Sequence, residues 1–303
     1  MKLDKLSWAY LVREAQEKQK NLADYLLERA AEQTEMKPTE LMEEMAARLR
    51  VMEEAVAFGL TGVRSNSGLT GGSAQRMSDY EKALREQNRT GLLGPVTASA
   101  VIYALAAAEA NAAMGRIVAA PTAGASGILP GVLLALREHC QVQETVLLEG
   151  LLIAGTIGEV IADRAMLAGA TGGCQAECGS GAAMAAGAAV HILGGSGAQI
   201  DTAISIVFKN MLGLVCDPVA GLVEVPCIKR NAGSVVQSLL AAEMAVAGVE
   251  SFIPADEAID AMGQVGCSLP HSLKETAEGG MALAPTALAW AEKYFSAAGA
   301  VKK

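Results

Sequence analysis

Three cysteines offer the most distinctive chemistry in this sequence. Cys216 follows Cys174 by 42 residues, and Cys227 lies 11 further on. Pro218, Gly221 and Pro226 stand between the last two, so that stretch is predicted to be a loop that can turn both thiols toward one point. Gly172 and Gly173 precede Cys174 and permit close backbone approach to a bulky group. Three thiolates on glycine- and proline-shaped loops suit an iron–sulfur cluster better than a zinc knuckle, whose cysteines come in short pairs. With three protein thiolates, one iron of a four-iron cluster stays open to act as a Lewis acid. Cys178, four residues past Cys174, would share a helical face with it, as a metal pair requires.

Polar loops surround these cysteines in the sequence. In SNSGLTGG (65–72), the residues Ser65, Asn66, Ser67, Gly68, Thr70, Gly71 and Gly72 lead directly into a helical pattern. Such a turn presents free backbone N–H groups and favours an anion. A flexible loop with Ser73 as helix cap accounts for it equally well. PTAGASGILPG (121–131) is a second polar loop, with Thr122 and Ser126 able to donate to an anion or a sulfide, or simply a turn. Lys209 stands out in an apolar helix just before Cys216. It either snorkels to the surface or neutralises charge at the cysteines. Arg230, past Cys227, suits bidentate carboxylate recognition, with a solvated Lys–Arg pair as the ordinary alternative.

The elements that position these residues read as helices throughout. Hydrophobic residues make up 51% of the chain and aromatics only 4%, so packing must rely on close approach of alanine- and glycine-rich backbone. The net charge of −9 disfavours nucleic acid and anionic membrane as partners. Met42, Met45, Leu49, Met52 and Val56 form one apolar stripe that starts near Pro38 and ends near Gly59 or Gly62. Residues 93–118, 146–170 and 199–213 read as further helices, with Glu109 and Asn111 as caps or site residues at the end of the first. Residues 178–200 lack any charge, which raises a membrane span. Their glycines and serines, with His191 and Gln199, favour a buried small-residue helix. The charged start MKLDKLSWAYLVRE argues against a secretory signal, and free or metal-bound thiols are expected over disulfides. Pro254 marks a helix start, 266–270 a break, and the tail SAAGAVKK a frayed end. No strand pattern is present. The fold is expected to be all-α, one domain over 1–303, with peripheral amphipathic helices over 1–60 and the site-bearing core over 61–303.

The run CDPVAGLVEVPCIKRN, with GGCQAE upstream and SNSGLTGG, PTAGASGILPG and LKETAEGG elsewhere, resembles the alpha chain of the iron–sulfur-dependent L-serine dehydratases. The similarity covers nearly the whole chain. It implies a [4Fe-4S] cluster on Cys174, Cys216 and Cys227, with Cys178 a buried spectator. It also implies L-serine as substrate, pyruvate and ammonia as products, and a cytoplasmic enzyme working with a separate beta chain. The 65–72 loop, Thr122 and Arg230 would then receive the substrate carboxylate. A general base must take the α-proton. Lys209, Lys274 and His271 are candidates, while His139 reads as surface and His191 as a satisfied core residue. None stands out, so a histidine of the beta chain is expected to act. Some single-chain relatives end in a cysteine that can fill the open iron. This chain ends AVKK, with no cysteine after Cys267, so that device is not expected. Two rivals remain: a related hydro-lyase on another hydroxy acid, and a structural metal or electron-transfer protein. A pyridoxal-phosphate enzyme would need a Schiff-base lysine and a phosphate cup, for which Lys209 and Lys274 offer no context.

Overall fold

A computed structural model describes residues 5–300, with side chains through residue 296. The frayed tail and the AVKK terminus therefore fall largely outside the described residues. The chain is all-α, as its pattern predicts. Its helices are α1 (Trp8–Glu17), α2 (Leu22–Thr34), α3 (Pro38–Leu60), α4 (Ser73–Glu86), α5 (Gly94–Ala112), α6 (Ile128–Cys140) and α7 (Glu144–Arg164). They continue with α8 (Gly169–Gly172), α9 (Ser180–Ile192), α10 (Gly197–Met211), α11 (Cys227–Val246), α12 (Ala255–Ser268) and α13 (Pro285–Ala300). Among the described residues the only extended pairings are two isolated bridges, Arg64 with Gly71 and Cys216 with Lys274.

Helix α9 is the centre of the bundle and packs against α6, α7, α10 and α11. Every residue from 172 to 190 is buried, so the charge-free stretch begins as a core helix, α9, with a π-helical turn (Gln175–Gly179) in front of it, and ends in the turn and first residues of α10. Helix α7 is long and apolar enough to cross a membrane by composition, yet it packs directly on α9. The expected helices end sooner than the sequence suggests. The first stops at Ala112 and the second at Arg164, because glycine-bearing turns leading to the site follow each.

Small residues set the helix spacing. At Gly59 of α3 an added Cβ would lie 1.9 Å from the Ala106 carbonyl oxygen of α5, so the two backbones cross in contact. Leu49, Met52 and Val56 of the predicted stripe are buried on the same helix. The N-terminal helices also belong to the core: Trp8 is fully buried, and its indole donates to the Gly197 carbonyl at 3.1 Å. Gly59→Ala should destabilise the protein by about 3 kcal/mol, since only a backbone shift relieves the clash. Gly155→Ala, at an α7 position with no atom within 4 Å of an added Cβ, should instead stabilise it by about 0.5–1 kcal/mol. Denaturant midpoints of the two variants check both signs.

Candidate functional site

Cys174 is placed by its glycines. Gly173 adopts φ +77°, and a Cβ there would meet Leu269 Cδ1 at 2.6 Å and the Leu214 oxygen at 2.8 Å. Only glycine lets the chain before Cys174 press on the segment before Cys216. Gln175, fully buried, locks that contact. Its backbone N–H donates to the Leu214 oxygen (3.0 Å), and its side chain accepts from Gly213 N (2.8 Å) and donates to the Gly172 oxygen (3.0 Å). Cys216 is held through its backbone, donating to the Leu273 oxygen (2.9 Å) and accepting from Glu275 N (2.7 Å). The LKETAEGG segment therefore runs beside it. Cys227 is the first residue of α11. One turn on, the fully buried Asn231 donates to the Gly124 oxygen (2.6 Å) and the Cys227 oxygen (3.0 Å) and accepts from Gly127 N (2.9 Å). The PTAGASG loop is thereby fastened to the helix that carries Cys227.

All six cysteines are free, and Cys174, Cys178, Cys216 and Cys227 are buried. Burial pushes the Cys227 thiol up to about 12, and the charges of Cys174 and Glu177 push the same way. The same causes, burial first, push Cys216 up as well. Cys174 moves the other way, because a hydrogen bond from Cys178 stabilises its thiolate. Neighbouring thiols thus oppose one another's ionisation, and a cation is what allows several thiolates to share this space. Arg230 supplies part of that charge. It donates to the Val215 oxygen (2.7 Å) and pairs with Asp217 Oδ1 at 2.9 Å, while attraction to Cys174 raises its own pKa against the lowering effect of burial. Asp217 Oδ2 in turn accepts from Met281 N at 2.7 Å. Gly280, at φ +59°, leaves room for this contact, since a Cβ there would lie 2.2 Å from Asp217 Oδ2.

Two internal carboxylates occupy the donors expected to bind an anion. The N-terminus of α4 donates from Ser73 N and Ala74 N to Glu109 (2.7 and 3.2 Å). Ser73 is thus the first helical residue rather than the cap, and Gly72 takes the cap position at φ +69°. Ser67 and Thr70 donate to Glu224 (2.8 and 2.7 Å), which is buried within the cysteine loop. Ser65 hydrogen-bonds the Thr70 oxygen at 3.2 Å, Gly71 is buried, and Asn66 and Gly68 remain exposed. The loop lies against the cysteine loop, but its hydroxyls and the α4 N–H groups face the protein's own acids. Thr122 donates to Glu177 at 2.5 Å, and Ser126 is buried with no hydrogen-bond partner.

Two of the proposed bases, Lys209 and His271, face solvent rather than the buried thiols. Lys209 is exposed and bonded to Ser251, and His271 is 83% exposed, 3.6 Å from Glu278. His139 bonds Ser99 and His191 bonds Glu149, each at 2.9 Å. Lys274 is paired to Cys216 through its backbone. A cavity of about 570 Å³ opens beside Leu214, Pro226, Lys229 and Arg230.

A family profile described as the serine dehydratase alpha chain matches residues 17–282. The chain belongs to this family. It is 45% identical to the probable L-serine dehydratase alpha chain of Bacillus subtilis (strain 168), over 95% of this chain and 94% of that one. It is 42% identical to the L-serine dehydratase alpha chain of Peptoniphilus asaccharolyticus, over 86% of this chain and 87% of that one. A longer relative, the L-serine dehydratase of Streptomyces coelicolor, is 38% identical over 80% of this chain and 53% of its own length. The acids Glu177, Asp217 and Glu224 sit inside the motifs that define the likeness. Nothing in the sequence marks them as buried partners of Thr122, Arg230 and the 65–72 loop.

Proposed function

We propose that this chain is the catalytic alpha subunit of a cytoplasmic iron–sulfur L-serine dehydratase, forming pyruvate and ammonia from L-serine with a separate beta chain. Residues 1–303 act as one unit, with α1–α3 packed into its core rather than peripheral to it. What supports the reading is that Cys174, Cys216 and Cys227 are free, buried and near enough to oppose one another's ionisation, in a family whose curated members are named for this activity. Their soft donors fit a [4Fe-4S] cluster. So does the orphaned Ser126 hydroxyl on the loop pinned to Cys227, a donor free for a sulfide or a substrate oxygen. Cys174, Cys216 and Cys227 would hold it, and when bound it supplies an open iron that polarises the substrate hydroxyl.

This chain's own residues do the rest. Arg230, on the wall of the adjoining cavity, offsets negative charge at the thiols. Removal of the α-proton and of the β-hydroxyl leaves 2-aminoacrylate, which tautomerises and hydrolyses to pyruvate and ammonia unaided. The base is assigned to the beta chain: the three histidines are bonded or paired elsewhere, and Lys274, which meets Cys216 through its backbone, is the rival within this chain. The test is iron, acid-labile sulfide and pyruvate formation after anaerobic purification of both chains together. Full-rate turnover by the alpha chain alone would remove the partner's base from the account.

One observation favours a second reading. The sulfurs of Cys174 and Cys178 lie within 4.8 Å of each other, which would suit a closed four-thiolate centre for electron transfer. Cys178→Ala separates the two. With Cys178 a spectator, the variant keeps its iron and its turnover within about 3-fold, at a stability cost of about 1 kcal/mol for the lost thiol packing. A closed centre would lose iron.

A further inference from the structure

The thiol site holds more acid than base. Glu177 is 7% exposed, and one carboxylate oxygen lies within 4.8 Å of the sulfurs of both Cys174 and Cys178. Its hydrogen bond comes from a neutral donor, the Thr122 hydroxyl. The PTAGASG loop lies hard against it. A Cβ at Gly124 would fall 2.6 and 2.8 Å from its two oxygens, so glycine is what permits the approach. Glu275 stands beside Cys216: a Cβ at Gly169 would be 2.8 Å from Cys216 Sγ and 3.4 Å from Glu275 Oε2.

No cation among the described residues pairs with either acid. Arg230 is engaged by Asp217, Lys209 by Ser251, and Lys229 reaches Ser73 at 3.3 Å. Two uncompensated carboxylates beside a cluster of thiols make the site attractive to a positive group. The ammonium of an α-amino acid is such a group, and its three N–H donors suit a carboxylate.

We propose that Glu177, in the added field of Glu275, receives the α-ammonium of the substrate and makes this site select amino acids over the matching hydroxy acids. The assignment rests on the serine dehydratase reading and deepens it, since the 2-hydroxy acid would bring only a neutral hydroxyl to the same carboxylate. Thr122 holds Glu177 in place and acts as a positioning residue.

The experiment uses the anaerobically purified holoenzyme, wild type, Glu177→Gln and Glu275→Gln, with iron and sulfide measured on each. L-Serine kinetics are then set against inhibition by L-glycerate, which carries a hydroxyl in place of the amino group. In Glu177→Gln, kcat/KM for L-serine should fall roughly 10- to 100-fold, the worth of a charge-assisted hydrogen bond, while L-glycerate inhibition stays within about 3-fold and iron is unchanged. Glu275→Gln should show a smaller loss of the same sense. Equal losses for both ligands, or unchanged discrimination in both variants, would overturn the assignment. So would loss of iron from Glu177→Gln, which would make Glu177 part of the metal site. A wild-type holoenzyme that neither binds nor converts L-serine would instead bring down the proposed function itself.

Discussion

Cys216→Ser should strip the protein of iron and acid-labile sulfide and lower serine turnover by more than about 100-fold. Cys216 is buried, and its backbone is fixed on both sides, by Leu273 and by Glu275. No other thiol can swing into its place, because the remaining buried cysteines are held on α11 and on the π-helical turn. A serine hydroxyl is a harder, weaker donor to iron than a thiolate. Changes to groups that merely support metal ligands already cost about 10- to 100-fold, so losing a ligand costs more. The fold should persist, since the backbone bonds of residue 216 do not use its side chain. Metal analysis, the visible absorption of the anaerobic protein and pyruvate formation would register the loss. A Cys216→Ser protein with full iron and full turnover would remove this residue from the ligand set.

Asn231→Ala should lower stability by about 3–5 kcal/mol, a large share of what a domain of this kind possesses. Asn231 is fully buried and joins three backbone groups, at Gly124, Gly127 and Cys227. Alanine would leave the Gly127 N–H and the Gly124 carbonyl without their partner in the core, each at a desolvation penalty of about 1–3 kcal/mol. The side-chain volume would be lost as well. Thermal unfolding should shift down by about 10 °C. Asn231→Asp should be nearly as damaging, because a carboxylate accepts from Gly127 but cannot donate to the Gly124 carbonyl. A shift of under about 3 °C in both variants would mean that the PTAGASG loop is held by other contacts.

The helical architecture was legible because the signals were local. The apolar stripe through Leu49, Met52 and Val56 has the period of a helix, and Pro38 stands at its start. Helix ends were misjudged where the turn toward the site depends on a distant neighbour, as at Gly173 against Leu214. The cysteines stood out because thiols are rare and their loops are marked by proline and glycine. The polar loops could not be read so far. SNSGLTGG has the composition of an anion site, but which anion fills it depends on Glu109, 36 residues from Ser73, and on Glu224, 154 residues from Thr70. Burial turns an ordinary acid into a partner, and burial of a single acid leaves no periodic trace. For the same reason Glu177 passed unnoticed between two cysteines, while the more visible Lys209 lies on the surface.

Helix α9, directly after the turn bearing Cys174 and Cys178, reads SGAAMAAGAAVHI: six alanines and two glycines among 13 residues. Alanine and glycine have no rotamers to lose, so ordering them freezes almost no side-chain entropy. The wall behind the thiols is therefore rigid without that opposing term. It is also without alternatives, since a methyl group has no second position to adopt when a neighbour moves. Any adjustment needed to seat a metal group or release a product must then come from main-chain torsions. The π-helical turn Gln175–Gly179, wider than the helix it leads into, is the adjacent stretch where such torsions have room to change.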